Sequence, residues 1–130
     1  MKTAKPLALV AALFAITASA QAPPRAASDP AREAVMILRA VNTAQAALLS
    51  QTRSYGSLAA VLGTAVFTER YGALTPIDST SGDVLGHKLA LVTSDGGKRY
   101  LASVTPGDAC GPAAFTSEGG LIYSGRALGC

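Results

Sequence analysis

His87 is the single histidine of the 130-residue chain, and it is the side chain best suited to moving protons near neutral pH. A general base needs a hydroxyl or thiol nucleophile and an orienting carboxylate, and the sequence sets neither recognisably beside His87. It follows Gly86 at the head of a β-rich run, so a surface or strand-edge histidine is expected. Gly96-Gly97-Lys98 has glycines before a lysine, as phosphate loops do. It lacks the spaced first glycine and the Ser/Thr after the lysine, and its neighbours read as two strands rather than a strand and a helix.

Oxygen ligands for calcium would come from Asp78 and Asp83 in one polar stretch, or from Asp108 and Glu118 around the cysteine segment. Their spacing matches no calcium loop, and solvated loop acids are expected. Tyr55, Tyr71, Tyr100 and Tyr123 are dispersed, which suits packing at the edge of a core with a wet hydroxyl better than a platform for stacking bases or sugars. No catalytic set, metal or cofactor is expected, and the chain reads as a non-enzyme.

The two cysteines, Cys110 and Cys130, take their meaning from the other end of the chain. Lys2 and Lys5 precede the apolar run Leu7 to Ile16, and Ala18-Ser19-Ala20 carries small residues where a signal peptidase cuts. This pattern predicts a secretory signal over residues 1–20, with cleavage between Ala20 and Gln21. The apolar core is about 10 residues, where a spanning helix needs roughly 20, and no cysteine follows the cut to carry a lipid. A periplasmic or extracellular location without a stable membrane anchor is therefore expected.

In such a compartment two cysteines form one bridge most naturally. Closing a loop of about 20 residues contributes roughly 3 kcal/mol on the chain-entropy view, and it pins the last residue of the chain. Zinc-ligating or redox thiols are the alternatives, but there is no CxxC and His87 is distant in sequence.

Loss of residues 1–20 takes two of the eleven basic residues and none of the eight acidic ones, leaving nine against eight. Arg32, Arg39, Arg53, Arg70 and Arg126 are scattered, so no nucleic-acid partner is expected. The remaining length of about 110 residues suits one domain.

The elements that must position these side chains begin after a tether. Residues 21–28 contain Pro23-Pro24 and read as a linker, leaving 29–130 as the domain. Asp29-Pro30 reads as an N-cap followed by proline at the first helical position, with Glu33 complementing the helix dipole. Ala34, Leu38, Val41, Ala44 or Gln45, and Leu48 then recur at three- and four-residue spacing, broadened by Val35, Ile37 and Leu49. An amphipathic helix from about Pro30 to Thr52 is expected, with Arg32, Arg39, Asn42 and Gln45 mostly off its apolar stripe.

Ser57 can cap a short helix over Leu58-Ala59-Ala60-Val61-Leu62 that Gly63 stops. From Thr64 to Gly86 the pattern loosens, and a long surface connection is expected. Beyond Gly86 the period changes to two. His87 to Thr93 and Lys98 to Thr105 flank a Gly-containing loop, and Ala113 to Thr116 and Leu121 to Ser124 repeat the arrangement. The expected fold is α+β, one long helix packed on an antiparallel meander of three or four strands.

In order, Val41-Asn42-Thr43-Ala44-Gln45, Tyr55 to Gly63, Gly86-His87-Lys88-Leu89, Tyr100 to Pro106, Gly111 to Thr116 and Glu118 to Tyr123 resemble the globular part of type IV pilin-like proteins, including the pseudopilins of type II secretion systems. The resemblance spans roughly Pro30 to Ser124 and implies a pilin-like head in which a C-terminal disulfide is a recurrent feature. The N-terminus departs from the family pattern. It has an export signal and a proline-containing tether where the family has a short basic leader, a processing glycine and a long apolar assembly helix. The resemblance therefore implies an exported soluble domain that binds proteins, with pilin or secretion-system components as partners. A small secreted ligand-binding or inhibitor module, presenting the Thr64 to Gly86 stretch, is the alternative.

Overall fold

A computed structural model describes residues 29–126. The expected signal, cleavage position, linker and Cys130 lie outside the described residues. Helix α1 runs Pro30–Thr52, as its sequence signals require. The Asp29 carboxylate accepts from the Ala31 N–H at 3.0 Å, Pro30 occupies the first turn, and Arg53 ends the helix in the left-handed conformation with its N–H on the Leu49 carbonyl at 2.9 Å. Its buried face consists of Ala34, Ile37, Leu38, Ala40, Val41, Ala44 and Gln45. Leu49, expected on the stripe, is exposed, while Leu48 beside it packs against the core.

Short helix α2 spans Leu58–Leu62, with Ser57 capping the Ala60 N–H and Leu58, Val61 and Leu62 buried. A further helix, α3, spans Ala65–Tyr71. The sheet has five strands in the order β1-β2-β3-β4-β5: β1 Ser81–Val84, β2 His87–Ser94, β3 Arg99–Thr105, β4 Pro112–Ser117 and β5 Ile122–Arg126. Every neighbouring pair is antiparallel. The long surface connection expected over Thr64 to Gly86 is thus corrected to a helix, a shorter loop and a fifth strand.

Both corrections have a physical reason. Helix α3 buries only Phe67 completely, so it carries no readable apolar stripe, although Thr64 before it and Gly72 at φ 77° after it mark its ends. Strand β1 turns into β2 through Leu85-Gly86, with Val84 opposite His87. Positive φ at both central residues, 52° and 80°, is the pattern of a type I′ turn, which sequences normally announce with Asn or Asp before the glycine. Leucine there hides the hairpin.

Alternation along the strands sets one face of the sheet against the helices. Leu89 and Leu91 of β2, Tyr100, Ala102 and Val104 of β3, and Ala114 and Thr116 of β4 are buried toward Ile37, Leu38, Val41 and Ala44 of α1, with α2 and Phe67 completing the core. Each fully buried Leu, Ile or Val contributes about 1.5–3 kcal/mol relative to exposure. The loop between β2 and β3 docks on the end of α1. The Tyr55 N–H donates to the Gly97 carbonyl at 2.7 Å, and a Cβ at Gly97, whose φ is 81°, would meet Ser54 Cβ at 2.9 Å. Glycine is needed there for both reasons.

Leu85 is exposed and held at positive φ, a conformation that costs a Cβ-bearing residue about 1–2 kcal/mol and asparagine less. Leu85→Asn is expected to raise stability by about 0.5–1 kcal/mol, read as a higher urea midpoint at an unchanged slope. A midpoint that falls would contradict this account of the turn.

Candidate functional site

Two features stand out once the layers are in place: a row of polar groups where α1 meets the sheet, and an apolar surface on the sheet's other face. The polar row has three members on α1. Glu33, in the first turns, reaches His87 at the start of β2, with Oε2 2.9 Å from Nε2. His87 is 4% exposed, so the expectation of a surface or strand-edge histidine is corrected. Position 87 is the first inward-facing residue of β2, and the carboxylate across from it makes burial affordable. Nδ1 of His87 is buried with no hydrogen-bond partner among the described residues.

Tyr71 of α3 closes this end, and its phenol is pushed up, first by burial and then by Glu33, against the lowering effect of Arg70. Arg70 sits 5.8 Å from the centre of the Tyr71 ring. The result is a carboxylate, an imidazole, a phenol and a guanidinium between α1, α3 and β2. None of the described hydroxyls or thiols hydrogen-bonds to His87, and its contact with Glu33 ties the start of α1 to the start of β2.

Asn42 is the second member. Its Oδ1 accepts from the Tyr100 hydroxyl at 2.7 Å and the Thr116 hydroxyl at 3.1 Å, and its Nδ2 donates to the Gly120 carbonyl at 3.0 Å. The single Thr116 hydroxyl proton is shared with the Leu121 carbonyl, which at 2.8 Å is its nearer acceptor. One amide thereby joins α1 to β3, β4 and the turn before β5. The tyrosine hydroxyl, expected to be wet, is buried, and desolvation, with smaller contributions from Tyr55 and Glu118, pushes the Tyr100 phenol up to about 12. Its ring packs edge-on against Tyr55, with centres 4.8 Å apart.

Gln45 is the third. It is fully buried, with Oε1 accepting from the Gly56 N–H at 2.7 Å and Nε2 donating to the Gly56 carbonyl at 2.9 Å. That pair of bonds folds the chain after α1 back along the helix. A Cβ at Gly56 would come within 2.5 Å of Leu48 Cδ1, so the segment passes as close as a glycine allows.

Of the acids expected in solvated loops, Asp78, Asp83 and Asp108 are exposed as expected, and Asp78, Asp108 and Glu118 also make hydrogen bonds within the chain. Asp78 organises the approach to β1, its Oδ1 accepting from the N–H groups of Thr80 and Ser81, each at 2.7 Å, and its Oδ2 from the Ser81 hydroxyl at 2.6 Å. These bonds, the Ser81 hydroxyl first, lower its pKa to about 2. Asp83 faces solvent in β1, opposite Lys88. Glu118 pairs with Arg99 at 2.8 Å, and its pKa is lowered by its own backbone N–H and then by Arg99. Asp108 accepts from the Cys110 N–H at 3.1 Å in the connection between β3 and β4. No group of three or more His, Cys, Asp or Glu side chains suited to a metal ion occurs among the described residues. Gly96-Gly97 and Lys98 form the loop joining β2 to β3, with no helix following for a phosphate to cap.

The outward face of the sheet differs in kind. Val92 of β2, Leu101 of β3, Phe115 of β4 and Tyr123 of β5 are each about half exposed, and they span four adjacent strands. Val92 lies directly opposite Leu101, and Phe115 opposite Tyr123 with the two rings stacked at 5.1 Å. These are large apolar side chains left in solvent on one face of the sheet. The two pairs are offset from one another by two residues, since Leu101 lies opposite Ser117 and Phe115 opposite Ser103; strand alternation places each residue outward, and the offset is set by a register visible only in three dimensions.

No family model, curated protein or solved structure matches the chain. No helix among the described residues is long and apolar enough to cross a membrane.

The Asp78 carboxylate, with its lowered pKa, contributes stability that is complete above about pH 4 and lost as pH falls through the folded-state value near 2. Asp78→Ala is expected to melt below the parent at pH 7, with the gap closing between pH 4 and pH 2. An equal gap at both ends of that range would show that the carboxylate's charge is not what holds the turn.

Proposed function

We propose that this chain is an exported, pilin-like, non-catalytic domain that binds other proteins through the outer face of its sheet, with components of a pilus or of a type II secretion-like system as partners. The observation that carries the reading is the two-sidedness of the sheet. One face is sealed by a long helix, while the other presents Val92, Leu101, Phe115 and Tyr123 to solvent. A helix-first, meander-last order with short hairpins also accords with the likeness to pilin heads. The polar groups with altered acidity serve internal ties, which favours binding over catalysis. In this reading the N-terminal signal delivers the domain to the periplasm or beyond, and a bridge from Cys110 to Cys130 pins the chain's end to the β3–β4 connection.

The reading is tested by in-cell cross-linking with a photoreactive residue placed on the outer face. The expected products are adducts with a pilin, a pseudopilin or another secretion component, reduced several-fold by Leu101→Ser or Phe115→Ser while the melting temperature stays near the parent value. Absence of any envelope or filament adduct would remove the basis of the proposal.

A further inference from the structure

Strand β5 ends the sheet. Among the described residues it pairs only with β4, so its outer edge presents a row of backbone donors and acceptors. Sheets guard such edges with inward-pointing charge, proline, bulges or a covering element, and β5, with the sequence Ile122-Tyr123-Ser124-Gly125-Arg126, has a charge only at its last position. From Tyr123 to Arg126 every residue is exposed.

The strand is also complementary to itself. Antiparallel pairing of two β5 strands centred on Ser124 uses all five residues, and it sets Tyr123 opposite Gly125 of the second copy on the outer face. Gly125 has open space where a Cβ would stand, and a hollow of about 440 Å³ lies beside it, bordered by Ala113, Phe115 and Arg126. A tyrosine ring projecting from an opposed strand has room there, and an aromatic lying over a bare cross-strand glycine is a recurrent way of filling such a gap. In this register each Arg126 lies opposite Ile122, at the far ends of the ladder, so the two cations do not face one another. A knob and a hole two residues apart on one edge strand are what a two-fold, isologous interface requires.

On the inner side, a second hollow beside Ser124 is bordered by Val35 and Met36 of α1, partly covered, and by the charged Asp29, Arg32 and Arg39, so this flank adds both apolar and polar surface to the edge. We infer that the chain forms a two-fold dimer by antiparallel β5–β5 pairing, joining two five-stranded sheets into one of ten strands with Tyr123 of each copy over Gly125 of the other. Five residues of edge with this flank fall short of the area of obligate dimers, so the association is reversible and concentration-dependent. It goes beyond the pilin-like reading and stands apart from it, since a monomer would abolish the dimer and leave that reading in place.

Sedimentation of the chain without its first twenty residues, from roughly 10 μM to about 1 mM, is expected to show mass rising from monomer toward dimer. Position 124 is the one that meets itself across the two-fold axis. Ser124→Lys and Ser124→Glu, each at an exposed position, are expected to weaken association about tenfold or more when alone, and an equimolar mixture is expected to restore it. Unchanged melting temperatures separate this loss from misfolding. Monomer mass at the highest concentration overturns the inference, and so does association of either variant equal to the parent's, because pairing would then lie elsewhere.

Discussion

The Asn42 amide is the point on which the two layers are aligned. Apolar contact between α1 and the sheet supplies most of the stabilisation, but it is non-directional, and a helix of this length could slide along or rotate on a surface of Leu, Val and Ala with modest loss. Asn42 removes that freedom. It sits beside the buried stripe, and its oxygen takes the Tyr100 hydroxyl of β3 and shares the Thr116 hydroxyl of β4 with the Leu121 carbonyl, while its nitrogen reaches the β4–β5 turn. Leaving the buried Tyr100 hydroxyl unsatisfied costs about 1–3 kcal/mol, so another register of helix on sheet is penalised by a sizeable share of a small domain's net stability.

Glu33 and Gln45 extend the same logic toward the two ends of α1. The first ties the helix start to β2 through His87, and the second ties the chain leaving the helix to Gly56. With three polar ties along one helix, the inner face is fully committed to the fold. The outer face carries no such commitments: its side chains meet their cross-strand neighbours and solvent. Structural duty on one side and unspent apolar surface on the other are therefore consequences of a single two-layer arrangement.

Legibility in the sequence followed the strength of local signals. Helix α1 is bounded by Asp29-Pro30 at one end and carried a clear period, so its limits of Pro30 and Thr52 were readable, and β2 to β5 were announced by alternation and by glycine-containing loops. Strand β1 was hidden because Leu85 stands where Asn or Asp would signal a tight turn, and α3 because Phe67 alone carries its burial. The polar ties escape local reading for a different reason. Asn42 and Gln45 look like the solvent side of a helical wheel, and their partners lie 11 to 78 residues away, as Glu33 lies 54 from His87. Nothing local marks an amide whose acceptors and donors arrive only when distant segments of the chain fold back on it. Likewise the expected strand-edge His87 differs from the buried one by a carboxylate that the sequence keeps in another element.

The most direct test is a double-mutant cycle between Asn42→Ala and Tyr100→Phe, with unfolding followed in urea. If Asn42 aligns the layers through the Tyr100 hydroxyl, the two losses are coupled by about 1–2 kcal/mol. Strictly additive losses would contradict the account, because the helix would then be held in register by apolar packing alone.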